Sequence, residues 1–198
     1  MSGTYPLDGL IQNFCKFPGI GYKSAQRLAF FILSMPLSEV ERFSSVIVDT
    51  RRRIQYCSRC YNISFSPLCT ICSGSNRNES LLCIVAQPRD ILAIERSRSY
   101  QGVYHVLGGL ISPIDGIYPE SLRIQELLNR LSSTSFSEVI FAINPTIEGD
   151  ATTLYLTKVL ERFGILLSKL AYGLPVGSDM DYADELTLQK AILGRSAV

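Results

Sequence analysis

Cysteines 57, 60, 69 and 72 stand in the stretch CSRCYNISFSPLCTIC as two Cys-x2-Cys pairs separated by eight residues. Two chelating pairs of soft thiolates suit a tetrahedral Zn²⁺ ion. If Cys57, Cys60, Cys69 and Cys72 fill all four positions, none is left for water or substrate, so the expected zinc is structural. The linker YNISFSPL is shorter than a common zinc-ribbon loop, but Asn62, Ser66 and Pro67 are turn formers that let it fold back. The remaining two cysteines, Cys15 and Cys83, stand alone in apolar surroundings and are given no role beyond packing.

A second group of chemically capable residues lies in FPGIGYKSAQRLAFFIL, residues 17–33. Gly19 and Gly21 bracket one residue behind Pro18, which predicts a tight hairpin between helices that brings backbone close to a partner. The helix opening there would present free N–H groups and the positive end of its dipole, a setting for a phosphate oxygen. Lys23 and Arg27, four residues apart, would share one face and supply the counter-charge. Ala25, Leu28, Ala29 and Ile32 follow the i, i+3, i+4, i+7 pattern and predict a buried stripe opposite. GIGYKS is not a nucleotide-binding P-loop, because Tyr22 stands where glycine must precede the lysine and no strand leads into it. Residues 1–60 hold eight Lys or Arg against four Asp or Glu, whereas residues 61–198 hold eleven against fourteen, so the basic part of the chain is the part with the hairpin. Arg51, Arg52 and Arg53, just before the cysteines, could touch phosphates or sit in solvent.

The elements that must position these groups change character near residue 80. LLCIVA, GVYHVLGG, EVIFAI and ILLSKLAYG read as strands. PRDILAIERS, PESLRIQELLNRL and DATTLYLTKVLERFG, between them, read as helices, an alternation that predicts a mainly parallel sheet flanked by helices. The polar stretch SGSNRNES, residues 73–80, is the expected boundary. In such a sheet chemistry gathers at the C-terminal strand ends, here VAQPRD and NPTIEGD, with carboxylates Asp90, Glu148 and Asp150. The single histidine, His105, lies on an apolar strand and reads as a packed, hydrogen-bonded core residue. At 198 residues and 46 % apolar the chain can bury one large core or two small ones. No apolar run approaches the roughly 18 residues of a membrane span, the start MSGTYPLDGL lacks a signal-peptide layout, and a cytoplasmic location is expected.

FPGIGYKSAQRLAFFIL resembles a helix-hairpin-helix, a module that grips DNA backbone without reading sequence. VAQPRD and NPTIEGD resemble the strand ends of a Toprim domain, the Mg²⁺-binding fold of topoisomerases and primases, with departures: Ala86 stands where the catalytic Glu would be, and Asn144 and Thr146 replace two Asp residues. Mg²⁺ needs carboxylates against its own hydration shell, so no DNA-cleaving chemistry is expected. The order of these parts, with PGIGYKSAQRLA, the cysteine cluster, YHVLGGLISPIDGI, NPTIEGDATTLYL and GLPVGSDMDYADELTL, is similar to the bacterial recombination-mediator family RecR over nearly the whole chain.

That resemblance implies an α/β protein with a helix-hairpin-helix domain over 1–55, a C4 zinc finger and linker over 56–79, a Toprim domain over 80–175 and a Walker B-like tail over 176–198. It implies a non-enzymatic clamp that works with RecO, and often RecF, to help RecA displace single-strand-binding protein on gapped DNA, assembled as a ring-shaped tetramer. Lys23 and Arg27, with Gly19 and Gly21, would face DNA of either strandedness without sequence preference. Glu148 and Asp150 would contact basic RecO. Asp181 and Asp184 would cap and solubilise a terminal helix. Two rival readings remain: a Mg²⁺-dependent Toprim nuclease or primase-like enzyme using Asp90, Glu148 and Asp150, and a structural adaptor that never touches DNA.

Overall fold

The computed structural model describes residues 5–174, 177 and 179–195. The chain forms two compact units, Met1–Ile54 and Gln55–Val198.

The first unit is helical. Helix α1 (Asp8–Cys15) packs on α2 (Tyr22–Ser34) through Leu7, Ile11, Ala25 and Ala29, with Leu10, Phe14 and Ile20 at the margin. The two alanines let the helices approach closely. Only half of the expected stripe on α2 is buried, because Leu28 is 39 % exposed and Ile32 is half-buried. Met35 leaves the helix in an extended conformation ahead of Pro36, and α3 (Leu37–Arg53) follows with no buried residue at all. Phe30, Phe31, Leu33, Leu37, Phe43 and Ile47 are all exposed.

The second unit is built on a four-stranded, all-parallel sheet in the order β4-β3-β5-β6, where β3 is Asn78–Val85, β4 Gly102–Val106, β5 Glu138–Ala142 and β6 Leu166–Lys169. Side chains alternate across a strand, and the two faces have separate cores. Leu82, Ile84, Val103, Val139 and Phe141 meet α6 (Ile124–Ser133) and α7 (Ile147–Leu160) through Ile124, Leu127, Leu131, Leu156 and Leu160. Cys83, Val85, Tyr104, Val106 and Ala142 face the other way, against Ile91 of α5 (Pro88–Ser97) and the four paired cysteines. The cysteine segment supplies a short antiparallel pair, β1 (Gln55–Tyr56) and β2 (Ile63–Ser64), and a single turn, α4 (Thr70–Ser73).

Boundaries differ from expectation for local reasons. Strand β3 begins inside the polar stretch 73–80. Pro119–Ser121 is a separate 3₁₀ turn because Leu122 is extended (φ −105°, ψ 158°), which delays α6. Helix α7 starts before Asp150 because Thr146 caps it, its hydroxyl accepting from the Gly149 amide at 3.1 Å. The last helix, α8 (Glu185–Leu193), is capped by Asp184, which accepts from the Thr187 amide at 2.9 Å and its hydroxyl at 2.7 Å. Among the described residues no helix is long and apolar enough to cross a membrane.

His105 is fully buried on β4, its Nε2 donating to the Arg123 carbonyl at 2.8 Å. Desolvation holds its pKa down to about 4 against an ordinary 6.5, while the bond to Arg123 works the other way. An unfolded chain therefore takes up this proton near pH 6.5 and the folded chain only near 4. Folding stability from this group is complete above pH 6.5 and falls as pH drops toward 4, by about 3 kcal/mol in all. Denaturant titrations at several pH values should show a steeper acid loss for the native sequence than for His105→Gln; equal slopes would contradict the assignment.

Candidate metal centre and nucleic-acid interface

The ligand atoms of Cys57, Cys60, Cys69 and Cys72 all lie within 4.8 Å of one another, and all four residues are buried. Two tight backbone turns achieve this. In the first, the Tyr61 amide donates to the Cys57 carbonyl at 2.9 Å, and Tyr61 takes a left-handed φ of +63° to turn the chain out again. In the second, Cys69 caps α4, and its own amide donates to the Cys57 sulfur at 3.3 Å. The linker folds back as Ser58 donates from its amide to the Pro67 carbonyl at 2.9 Å and Cys57 to that of Asn62 at 2.7 Å.

The Cys60 and Cys69 sulfurs lie 3.5 Å apart, within reach of a hydrogen bond. Hydrogen bonds from Cys60 and Cys72 push Cys69 far below the ordinary thiol range, while the same cluster and burial push Cys60 well above it. Four sulfurs at this spacing form a metal-binding cluster in which a divalent cation would displace the thiol protons.

The cluster is joined to the edge of the sheet. Strand β4 has a neighbour on one side only. On its open side the Val106 amide donates to the Cys60 carbonyl at 2.9 Å, and the Tyr104 carbonyl accepts from Arg130 Nη1 of α6 at 2.6 Å. Arg123 lies over the rings of Tyr56 and Tyr61, 4.4 and 4.8 Å from their centroids, and the Tyr61 ring meets His105 edge-on. Sequence reasoning did not single out Arg123 or Arg130. For Arg130 a signal existed: it falls on the apolar phase of α6, three residues past Leu127 and beside Leu131.

In the helical unit, Ile20 closes the turn by donating its amide to the Phe17 carbonyl at 3.1 Å, and Gly19 has φ +78°. Gly21 is the N-cap of α2 at φ −82°, ψ 170°, a conformation open to any residue. Lys23 and Arg27 are both exposed on α2. Arg51, Arg52 and Arg53 occupy the last turn of α3, where cations complement the helix dipole.

At the strand ends of the sheet, Ala86 packs its backbone against Gly108, whose amide donates to the Ala86 carbonyl at 3.0 Å. Asp90 accepts from the Gln87 amide at 2.8 Å and so caps α5. Glu148 and Asp150 are exposed in the first turn of α7, and a Cβ on the intervening Gly149 would lie 2.0 Å from the Asn144 carbonyl oxygen. Asp90 and Asp150 line different clefts, of about 310 and 430 Å³. Among the described residues, the cysteines are the only group of three or more potential ligands close enough to share an ion. In the cleft with Asp150, Lys169 of β6 and Lys190 of α8 lie 5.1 and 4.8 Å from the Tyr172 ring centroid, which ties the tail helix to the sheet.

Comparison with protein families gives three matches in chain order: "RecR, helix-hairpin-helix" over residues 7–51, "Toprim domain" over 80–171, and "RecR, C-terminal" over 173–196. The chain belongs to the RecR family. Its RecR helix-hairpin-helix match covers α1, α2 and most of α3, its Toprim match covers the parallel sheet apart from the first two residues of β3, and its RecR C-terminal match contains α8. Family membership assigns it a RecR-type role in recombinational repair.

The two hairpin glycines carry different constraints and should respond differently to substitution. Gly19→Ala forces a side chain into the left-handed region at a cost of about 1–2 kcal/mol. Gly21→Ala meets open space at an ordinary φ and loses only the N-cap preference for glycine over alanine, so it should cost less, about 0.5–1 kcal/mol. Chemical denaturation of the two variants checks the contrast.

Proposed function

We propose that this RecR-family chain is a non-catalytic, DNA-binding mediator. With RecO and RecF it would promote loading of RecA onto gapped or single-stranded DNA coated by single-strand-binding protein, in the cytoplasm. The observation that carries this reading is the hairpin. Gly19 turns the chain with a positive φ, Gly21 opens α2 with no side chain to compete for the first amides, and Lys23 and Arg27 stand exposed on the same helix. Backbone amides, a dipole and two cations recognise phosphate rather than base edges, so binding is expected on single- and double-stranded DNA without sequence preference.

In this reading residues 1–55 contact DNA, 56–79 hold zinc, 80–175 form the Toprim domain and 176–198 the tail. Cys57, Cys60, Cys69 and Cys72 are the zinc ligands; an all-thiolate donor set suits zinc and leaves no open position for chemistry. The separated carboxylates, together with Ala86, Asn144 and Thr146 at the strand ends, support a docking role for the Toprim surface over a Mg²⁺ reaction, and Glu148 and Asp150 would meet a basic face of RecO. The exposed apolar side chains of α2 and α3 support self-association into the ring-shaped tetramer.

The test is fluorescence anisotropy on gapped DNA over a salt series, with and without RecO, for the native sequence and Lys23→Ala/Arg27→Ala. Each lost phosphate contact lowers the log–log salt slope by about 0.9 on duplex, so the folded, zinc-loaded double variant should bind more weakly with a slope flatter by about two. Unchanged affinity and slope would place the DNA site elsewhere; no binding even with RecO would favour an adaptor.

A further inference from the structure

Among the described residues Arg130 is the only Lys, Arg, Asp or Glu that is buried, with 9 % of its surface exposed. It leaves α6 for the cysteine segment. Its Nη1 donates to the Tyr104 carbonyl at 2.6 Å and reaches the carbonyl of Arg59, between Cys57 and Cys60, at 3.4 Å. The guanidinium lies 5.6 Å from the Phe136 ring centroid, and its Nε and Nη2 are buried without a hydrogen-bond partner among the described residues.

A buried guanidinium ordinarily has a carboxylate. Here neither of the two ion pairs among the described residues includes Arg130. Burial works most strongly against its protonated form and lowers its pKa, and Arg59 adds to this, while negative charge on Cys72, Cys60 and Cys57 works the other way. Neutral thiols do nothing to offset a buried cation. Four thiolates around a divalent metal carry a net charge of minus two, and they do.

We propose that Arg130 is the electrostatic partner of the metal-loaded cysteine cluster, a positioning residue whose buried charge favours the tetrathiolate–metal state over the metal-free one and fastens it to the edge of the sheet. This rests on the reading of the four cysteines as a zinc site. It assigns a part of the metal centre to a helix far along the chain from the cysteines, and it sets the loaded and stripped forms in opposition. The charge is compensated in one and uncompensated in the other.

The experiment compares the full-length protein with Arg130→Met and Arg130→Lys. Zinc affinity is read by competition with a chromophoric chelator, and the thermal midpoint is taken for the zinc-loaded and zinc-stripped forms. Arg130→Met should bind zinc roughly 10- to 100-fold more weakly, the scale of losing an outer-shell partner, while its stripped form melts no lower than the stripped native protein. Arg130→Lys, which keeps the charge, should lose less. Zinc affinity in Arg130→Met equal to the native value would overturn the proposal. So would equal losses of stability in both forms, the mark of a prop that ignores the metal. If Arg130→Met does not fold, Arg130→Gln against Arg130→Lys makes the same comparison, and equal affinities overturn it. Failure of the native protein itself to take up zinc would instead remove the zinc reading beneath it.

Discussion

One hydrogen bond organises the larger unit: the Val106 amide on β4 donates to the Cys60 carbonyl at 2.9 Å. An edge strand offers a row of unpaired backbone groups that must be covered or paired. Here the cover is the first cysteine turn, helped by Arg130 on the Tyr104 carbonyl; just past the strand, the Arg123 amide donates to the carbonyl of Leu107 at 2.9 Å. The cysteine segment therefore shares a core with the sheet, in which Cys57, Cys60, Cys69 and Cys72 pack with Cys83, Val85, Tyr104 and Val106. A loop of this size cannot bury enough apolar surface to hold a shape by itself. It borrows the sheet's face, and the sheet borrows its backbone.

The same economy appears at the strand ends. Thr146, at a position where a catalytic Toprim pattern carries Asp, caps α7, and Thr152 accepts at 2.9 Å from the Ile111 amide while donating to the Glu148 carbonyl at 2.6 Å. Asp90 is likewise engaged in capping its own helix. Polar groups in this region hold the loops in place and leave Glu148 and Asp150 exposed.

The cysteine spacing, the parallel alternation and the glycine turn were legible in the sequence because each is a local pattern with one dominant physical cause. Helix α2 was read only in part: periodicity predicted a stripe through Leu28 and Ile32, but α1 offers too little surface to cover more than Ala25 and Ala29. Helix α7 was read as starting three residues late, at Asp150, because its start is set by the Thr146 cap rather than by the periodicity, and as running on through the separate 3₁₀ turn Glu161–Phe163. Cys83, left without a role, faces the same core as the paired cysteines, which strand alternation permits but cannot select. Arg130 and the Arg123–Tyr56–Tyr61 stack were invisible as a site because Tyr56, Tyr61 and Arg59 lie far from Arg123 and Arg130 in the chain, Arg59 by 71 residues. A charge on the apolar phase of an amphipathic helix was the trace left in the sequence.

The central claim is that the cysteine cluster, once metal-loaded, is part of the sheet's edge rather than an appendage to it. Amide hydrogen exchange on the native protein before and after metal removal by a chelator tests this most directly. Loss of metal should lower protection at residues 57–72 and, together with them, at the Val106 amide in β4, while β5 and β6 change least. Deprotection confined to the cysteine segment, with Val106 as protected as before, would contradict the account.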